Sequence, residues 1–298
     1  MHNRSREREA VLLEGLADGR GGNTNAALEP DGLCRTSPIH RAASPAETAA
    51  AASRGAGILC LCLSDDAAVE AVLLKGDGAA IHGLQPGGLV VDFSTIGPAT
   101  TRRLAEHCAS RGIAWLDAPV TGGTEGAGAG TLSVLVGGEV QDLERARPLL
   151  EVVGGCLTHF GPVGSGQQAK AVNQVLVAGS YAAVAEAMAL GQRLGLPMAE
   201  LVQALQGGAA GSWALTNRSA NMLAEHYPLG FKLSLHRKDL AIALAEAADA
   251  GLELPVSAQV AALEDSLIGR GHGEEDVSAL ARWFSGQASG TAPAQYQP

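Results

Sequence analysis

The 298-residue chain is short of aromatic rings, at 3%, and its five cysteines show no CxxC spacing. The spacing excludes a zinc ribbon or a dithiol redox pair. Cys60 and Cys62 alternate with leucines in an apolar run and read as small core residues. The eight histidines are scattered without metal-ligand spacing, so no metal site is expected. No Gly-x-Ser-x-Gly nucleophile elbow occurs. Basic residues are also scarce, 21 against 31 acidic ones for a net charge of −10, and they form no stripe. A nucleic-acid partner is therefore not expected. No secretory signal or membrane-length apolar segment is read, so the expectation is a soluble cytoplasmic protein with no membrane contact.

What is present is a globular composition: 46% hydrophobic, 17% charged and 39 glycines. Gly57-Ile58-Leu59-Cys60-Leu61-Cys62-Leu63, Gly88 to Phe93, Ile113 to Asp117 and Leu132 to Val136 are apolar runs of strand length. Helical patterns separate them, through Leu74, from Pro98 to Ser110 and from Val140 to Leu150. Doubly apolar strands alternating with helices predict a mostly parallel sheet covered on both faces. Beyond Gly161-Pro162-Val163-Gly164-Ser165-Gly166 the character changes. Residues 167–194 read as one long helix rich in Ala and Val, followed by helical segments at 198–206, 212–225, 231–250, 256–269 and 275–284.

The predicted class is thus α/β, a Rossmann-type parallel-sheet domain over 1–162 followed by an all-α domain over 163–285, with a tail at 286–298. Residues 5–17 suit a helix. Residues 18–40 show neither periodicity nor a strand, far beyond the usual connection of about 2–6 residues; an insertion and a frame error both account for this.

Several constellations carry chemistry. Lys170 opens the long helix, with Asn173 and Gln174 three and four residues on and therefore on the same face. Apolar neighbours favour a neutral amine fit for proton transfer, and two amides can orient a carbonyl; an ordinary solvated lysine fits the spacing as well. Thr121-Gly122-Gly123 follows a strand and can turn backbone N–H groups toward an anion, or it is a flexible loop. The spacing Gly126-x-Gly128 precedes a strand, which does not suit a dinucleotide fingerprint. Leu63-Ser64 and Ser94-Thr95 sit just past strand ends, where open α/β sheets bind ligands; helix capping explains them equally well. Lys238-Asp239 within a helix reads as a surface ion pair.

Taken in order, DAPVTGG at 117–123, GTL at 130–132, GxGxxxK at 164–170 with Asn173, KDL at 238–240 and VDFSTIGP at 91–98 resemble the β-hydroxyacid dehydrogenase family, whose members are 3-hydroxyisobutyrate dehydrogenase-like. The resemblance covers about residues 44–284. Asn173-Gln174, GGAAGSWAL at 207–215 and GFKLSLHRKDL at 230–240 look most like its tartronate semialdehyde reductase branch. It implies a homodimer or homotetramer that passes hydride between NADP or NAD and a short β-hydroxy acid or semialdehyde. Lys170 would be the general acid and base. Thr121, Gly122, Gly123, Asn173 and Gln174 would bind substrate, and Leu63, Ser64, Thr95 and Lys238 would line the cofactor. Imine reductases, a related group, generally replace this lysine.

The family begins with a strand, a GxGxxG turn and a helix, then a strand ending near Asn-Arg-Ser, which Asn3-Arg4-Ser5 matches. The cofactor domain is expected to be incomplete at its N-terminus, with Arg4 beside a 2′-phosphate. The competing expectation is a cofactor-incompetent remnant that acts only as a dimerising helical module.

Overall fold

The computed structural model describes residues 42–54 and 57–285. The helix expected over 5–17, the irregular stretch 18–40, Asn3, Arg4 and the tail 286–298 lie outside them. The chain divides into two compact units, Met1–Lys170 and Ala171–Pro298.

The first unit is a sheet with helices. Its elements are α1 (Pro45–Arg54), β1 (Ile58–Leu61), α2 (Asp66–Leu74), β2 (Leu89–Asp92), α3 (Pro98–Ala109), β3 (Ala114–Asp117), β4 (Val120–Thr121), α4 (Gly123–Ala129), β5 (Leu132–Gly137), α5 (Val140–Val153) and β6 (Gly154–Gly161). The strand order is β1-β2-β3-β5-β4, with β6 paired to β5. The β1–β2, β2–β3 and β5–β6 pairs are parallel, while β5 meets β3 and β4 antiparallel. The sheet is therefore mostly parallel, as expected, but mixed at β5. Alternating residues of β2 go to opposite faces. Val90 joins Val69 and Leu73 of α2 and Leu104 and Cys108 of α3, whereas Leu89 and Val91 join Leu143, Ala146 and Leu150 of α5. Each fully buried Leu or Val contributes about 1.5–3 kcal/mol, so this two-sided cover is what holds the strands.

Three readings of the sequence need correcting here, and one strand adds to them. Cys60 and Cys62 are exposed, not core. Cys60 lies on the face of β1 opposite Leu59 and Leu61, with Cys62 just past the strand's end, at what is the sheet edge among the described residues, where the α5 cover reaches Ile58 and stops. The glycine-rich stretch after Gly122 is a helix, α4, and not a loop. Strand β6 had no counterpart in the sequence reading, because its alternation is weak: most of its side chains are exposed or half-buried. The segment 275–284 is a 3-10 turn, Val277–Ala281, running into the short helix α11 (Arg282–Ser285), with the other helices of the second unit defined below.

Helix α6 (Ser165–Arg193) begins in the first unit and continues into the second. It is long and apolar enough to cross a membrane by length and composition, with 39% of its most apolar stretch buried. That corrects the reading that no such segment exists: between Ala171 and Gln192 the only charged residue is Glu186. The second unit adds α7 (Met198–Leu205), α8 (Trp213–Leu223), α9 (Leu233–Asp249) and α10 (Pro255–Gly269). Ser212 caps α8 by accepting from Leu215 N, and Pro255 starts α10, where its missing N–H costs nothing. Tyr181, Met188, Leu233, Leu240, Leu267 and Leu280 centre the helical core. Buried Asp276 fastens the entry to α9, accepting from Gly230 N, Phe231 N and Ser278 N at 3.1, 2.9 and 3.0 Å.

Candidate active site

Where β3 ends, the fully buried carboxylate of Asp117 receives the start of α6. Gly164 N donates to Oδ1 at 2.7 Å and Gln167 N to Oδ2 at 2.9 Å. A helix leaves its first N–H groups unpaired and carries partial positive charge there, so a carboxylate is the natural partner. Burial pushes the Asp117 carboxyl up, and the N–H groups of Gly164, Gln167 and Gly166 pull against it. The approach demands glycine: a Cβ on Gly166 would stand 2.4 Å from Leu135 O and 2.8 Å from Asp117 O. One turn further along, Lys170 is 8% exposed, and its Nζ donates to Val120 O at 2.9 Å.

Val120 belongs to β4, which runs into the Thr121-Gly122-Gly123 turn. Gly122 has φ +135° and Gly123 φ +67°, a backbone that side-chain-bearing residues resist. A Cβ on Gly123 would come within 2.9 Å of Glu125 Oε2. The structure thus brings the lysine ammonium to the strand that feeds the glycine turn. Its burial sets aside the alternative of a solvated lysine.

Two further turns cross the ends of β1 and β2. Ser94 Oγ accepts from Leu63 N at 2.9 Å, and Ser94 N donates to Asp92 Oδ1 at 3.0 Å. Gln167, 1% exposed, joins them to α6 by donating to Ser94 O at 2.8 Å and accepting from Ile96 N at 3.3 Å. Capping does not explain these residues. Asp65, not Ser64, caps α2, and Gly97 stands at the cap of α3. Leu63 and Thr95 are half-exposed and Ser64 exposed, so these braced turns keep open side chains at the C-terminal ends of adjacent parallel strands. That arrangement fits the nicotinamide end of a dinucleotide. Burial pushes the Asp92 carboxyl up to about 7, helped by the charges of Asp117 and Asp66 and opposed by the bonds from Ser94.

In the second unit, Asn173 Nδ2 donates to Gln174 Oε1, and Gln174 Nε2 donates to Asp239 Oδ2, both at 2.7 Å. Lys238 Nζ lies 2.7 Å from Asp239 Oδ1. Asp239 is 3% exposed, which corrects the reading of Lys238-Asp239 as a surface ion pair. A second buried pair, His236 Nδ1 with Glu264 Oε1 at 2.5 Å, joins α9 to α10. Asn3 and Arg4 lie outside the described residues. The sequence reading quoted Asp92, Asp117 and Asp239 inside motifs but assigned them no work, and it passed over Gln167. Each carboxylate directly follows an apolar strand run or sits between apolar helix positions, a signal that marks a buried polar group needing a partner. Among the described residues no cluster of metal-ligating side chains occurs.

Comparisons agree with this layout. Residues 25–161 match the NAD-binding domain of 6-phosphogluconate dehydrogenase, and residues 164–284 match the family described as NAD-binding of NADP-dependent 3-hydroxyisobutyrate dehydrogenase. The chain is 38% identical over 249 residues to the NAD-dependent L-serine dehydrogenase of Pseudomonas aeruginosa, covering 81% of this chain and 83% of that one. It is 38% identical over 234 residues to the 2-hydroxy-3-oxopropionate reductase of Escherichia coli, covering 78% and 80%. Among solved structures, the 3-hydroxyisobutyrate dehydrogenase of Mycobacterium tuberculosis, determined with L-serine, superposes with a TM-score of 0.71 at 29% identity, covering 82% of this chain and 84% of that one. The chain belongs to the NAD(P)-dependent β-hydroxyacid dehydrogenases, a family of oxidoreductases with a Rossmann-like domain followed by a helical one.

Proposed function

We propose that the protein reduces a short semialdehyde acid to the β-hydroxy acid, and runs the reverse oxidation, with Lys170 as the proton donor and acceptor. The observation that carries this reading is the buried Lys170 ammonium, 2.9 Å from Val120 O at the mouth of the Thr121-Gly122-Gly123 turn. An ammonium that reaches the anion-facing turn can hand a proton to a carbonyl oxygen whose carboxylate the turn holds. Thr121, Gly122 and Gly123 would take that carboxylate through backbone N–H groups and the threonine hydroxyl. Asn173, on the helix that carries Lys170, would orient the carbonyl, and Gln174, buried with its amide spent on Asp239 and Asn173, would act through Asn173. Leu63, Ser64 and Thr95 would line the nicotinamide end of the cofactor, Lys238 would meet it as a cation, and Asn3 and Arg4 would belong to its adenosine side. Bound NAD(P)H supplies the hydride.

The substrate preference is for tartronate semialdehyde over the 3-hydroxyisobutyrate type. Both the L-serine dehydrogenase and the 2-hydroxy-3-oxopropionate reductase relatives are named for compounds with a polar group at C2. The division into a cofactor domain over 1–162, a substrate and dimerisation domain over 163–285 and a tail belongs to the same proposal, as does a homodimer or homotetramer. Its support is a row of apolar residues along α6, Val172, Leu176 and Leu190, continued just past its end by Leu194, each 58–69% exposed. Gly179 in the same row has nothing within 4 Å of a would-be Cβ. A second copy of this helix would cover that row, protein rather than lipid would meet its apolar face, and the enzyme would be cytoplasmic.

The test is oxidation of NADH and NADPH with tartronate, methylmalonate and succinate semialdehydes. Turnover fastest with tartronate semialdehyde is expected; no oxidation with any of the three would overturn the reading.

A further inference from the structure

Four polar side chains of the second unit stand in single file. Lys238 Nζ pairs with Asp239 Oδ1, Asp239 Oδ2 accepts from Gln174 Nε2, and Gln174 Oε1 accepts from Asn173 Nδ2, each link 2.7 Å long. Gln174 is 1% and Asp239 3% exposed, so neither can exchange its partner for water. Asn173 at the end of the file is half-buried.

A side-chain amide can face either way, whereas a carboxylate only accepts and an ammonium only donates. The file therefore has one direction. Asp239 draws the N–H side of Gln174, which turns Gln174 Oε1 toward Asn173, and Asn173 must answer with its own N–H. The carbonyl oxygen of Asn173 is thereby turned away from the file. Reversing any one amide would set like groups against each other in a buried place and leave a donor or acceptor without a partner.

We propose that Asp239 is a positioning residue which, by orienting the Asn173 amide so that it offers a ligand an acceptor, selects substrates bearing a hydrogen-bond donor at C2 over those bearing a methyl there. The donor would be a hydroxyl or an ammonium group. The proposal rests on the reading of Asn173 as a substrate contact and adds the reason that contact discriminates.

Asp239→Asn tests it sharply. The Lys238 ammonium repels an NH2 group, so the new amide turns its oxygen toward Lys238 and its NH2 toward Gln174. Gln174 must then turn its oxygen to that NH2, its own NH2 faces Asn173, and Asn173 presents N–H instead of carbonyl. The measurement is the ratio of kcat/KM for 2-hydroxy-3-oxopropionate to that for 2-methyl-3-oxopropionate, using the full chain at one NADPH concentration. Effects on cofactor binding or overall stability are common to both substrates and cancel in the ratio. The ratio is expected to fall at least about tenfold in Asp239→Asn, as the loss of one buried hydrogen bond would require. An unchanged ratio, with both substrates losing equally, would overturn the proposal and leave Asp239 a structural residue. Should Asp239→Asn fold poorly, Gln174→Met cuts the file at its middle link and carries the same expected fall. If the wild-type chain reduces neither compound, the proposed function falls, and the file is judged without turnover. The side-chain amide resonances of Asn173 should then move in Asp239→Asn, and unmoved resonances would refute the relay.

Discussion

Replacing Asp92 with asparagine should stabilise the protein at neutral pH, by an amount that shrinks as the pH falls. The Asp92 side chain is fully buried at the end of β2; Oδ1 accepts from Ser94 N at 3.0 Å, while Oδ2 meets no donor. Burial, with the charges of Asp117 and Asp66 behind it, lifts its pKa from the ordinary 3.8 to about 7 against the bonds from Ser94. The unfolded chain therefore releases this proton near 3.8 while the folded chain keeps it until about 7. Stability from this group is complete below the lower value, drains away as the pH rises and is gone above the upper one. At ~1.4 kcal/mol for each pH unit, the interval from 3.8 to about 7 amounts to about 4 kcal/mol. Acid would normally be expected to weaken a protein; this carboxyl works the other way.

Asparagine copies the shape of the neutral acid, keeps an oxygen for Ser94 N and does not titrate. Its second N–H pair adds a cost that is the same at every pH, so the slope carries the test. Urea unfolding at about pH 4.5, 6 and 8, followed through the buried Trp115 in a Trp213→Phe, Trp283→Phe background, isolates the first unit. The gap between variant and wild type should widen by roughly 3 kcal/mol across that range. Parallel curves, or a variant that loses ground above neutral pH, would refute the assignment of Asp92 as a buried neutral acid.

Lys170→Ala should lower kcat by about 10²–10⁴ with far-UV circular dichroism unchanged, and a mild effect would clear the lysine of proton transfer. Leu176→Asp, in the exposed row on α6, should shift sedimentation velocity toward monomer while the monomer stays folded. Gly166→Ala should cost about 1–3 kcal/mol in urea unfolding, because its Cβ would press on backbone oxygens of β3 and β5. Asp117→Ala should cost about 1–2 kcal/mol as a lost helix cap and also reduce kcat, which a merely structural cap distant from the chemistry would not do.

The architecture was legible wherever periodicity was strong. The apolar runs Gly88 to Phe93 and Ile113 to Asp117 appear as β2 and β3, and the helical patterns at 98–110 and 140–150 as α3 and α5, with ends shifted by a few residues. Strands β4 and β6 escaped because one is two residues long and the other is mostly exposed, so neither repays alternation. Helix α4 escaped because glycine weighs against helix in any local reading; Gly122 as a cap and the packing of Gly126 on Leu132 decide it instead. Cys60 and Cys62 were misread because an apolar run says nothing about which face a neighbouring helix will cover. Within the candidate site, motif order pointed to Lys170 and to the glycine turn. The groups that hold them, Asp117, Gln167 and Asp239, act through partners 47–73 residues away, and no local pattern encodes such pairings.

That division has a mechanical cause in how α6 starts. Successive residues of an α-helix are separated by about 100° around its axis, so a helix that began one residue early or late would swing Lys170 by that angle away from Val120 O. Asp117 fixes the first turn by holding Gly164 N and Gln167 N, and the Gln167 side chain fixes its rotation through Ser94 O and Ile96 N. Lys170 comes three residues after Gln167, within the same turn, where little backbone freedom remains. Gly166 lets the backbone come close enough for these bonds, since any side chain there would collide with Leu135 O. The reach of the ammonium to the glycine turn is thus set before the helix has completed its first two turns. Ser94 also holds Leu63 N, so the same bonds that phase the lysine brace the turns at the ends of β1 and β2. A substitution at Gln167 should therefore disturb the proton donor and the nicotinamide-facing turns together, whereas one at Val120 or Gly123 should leave those turns alone.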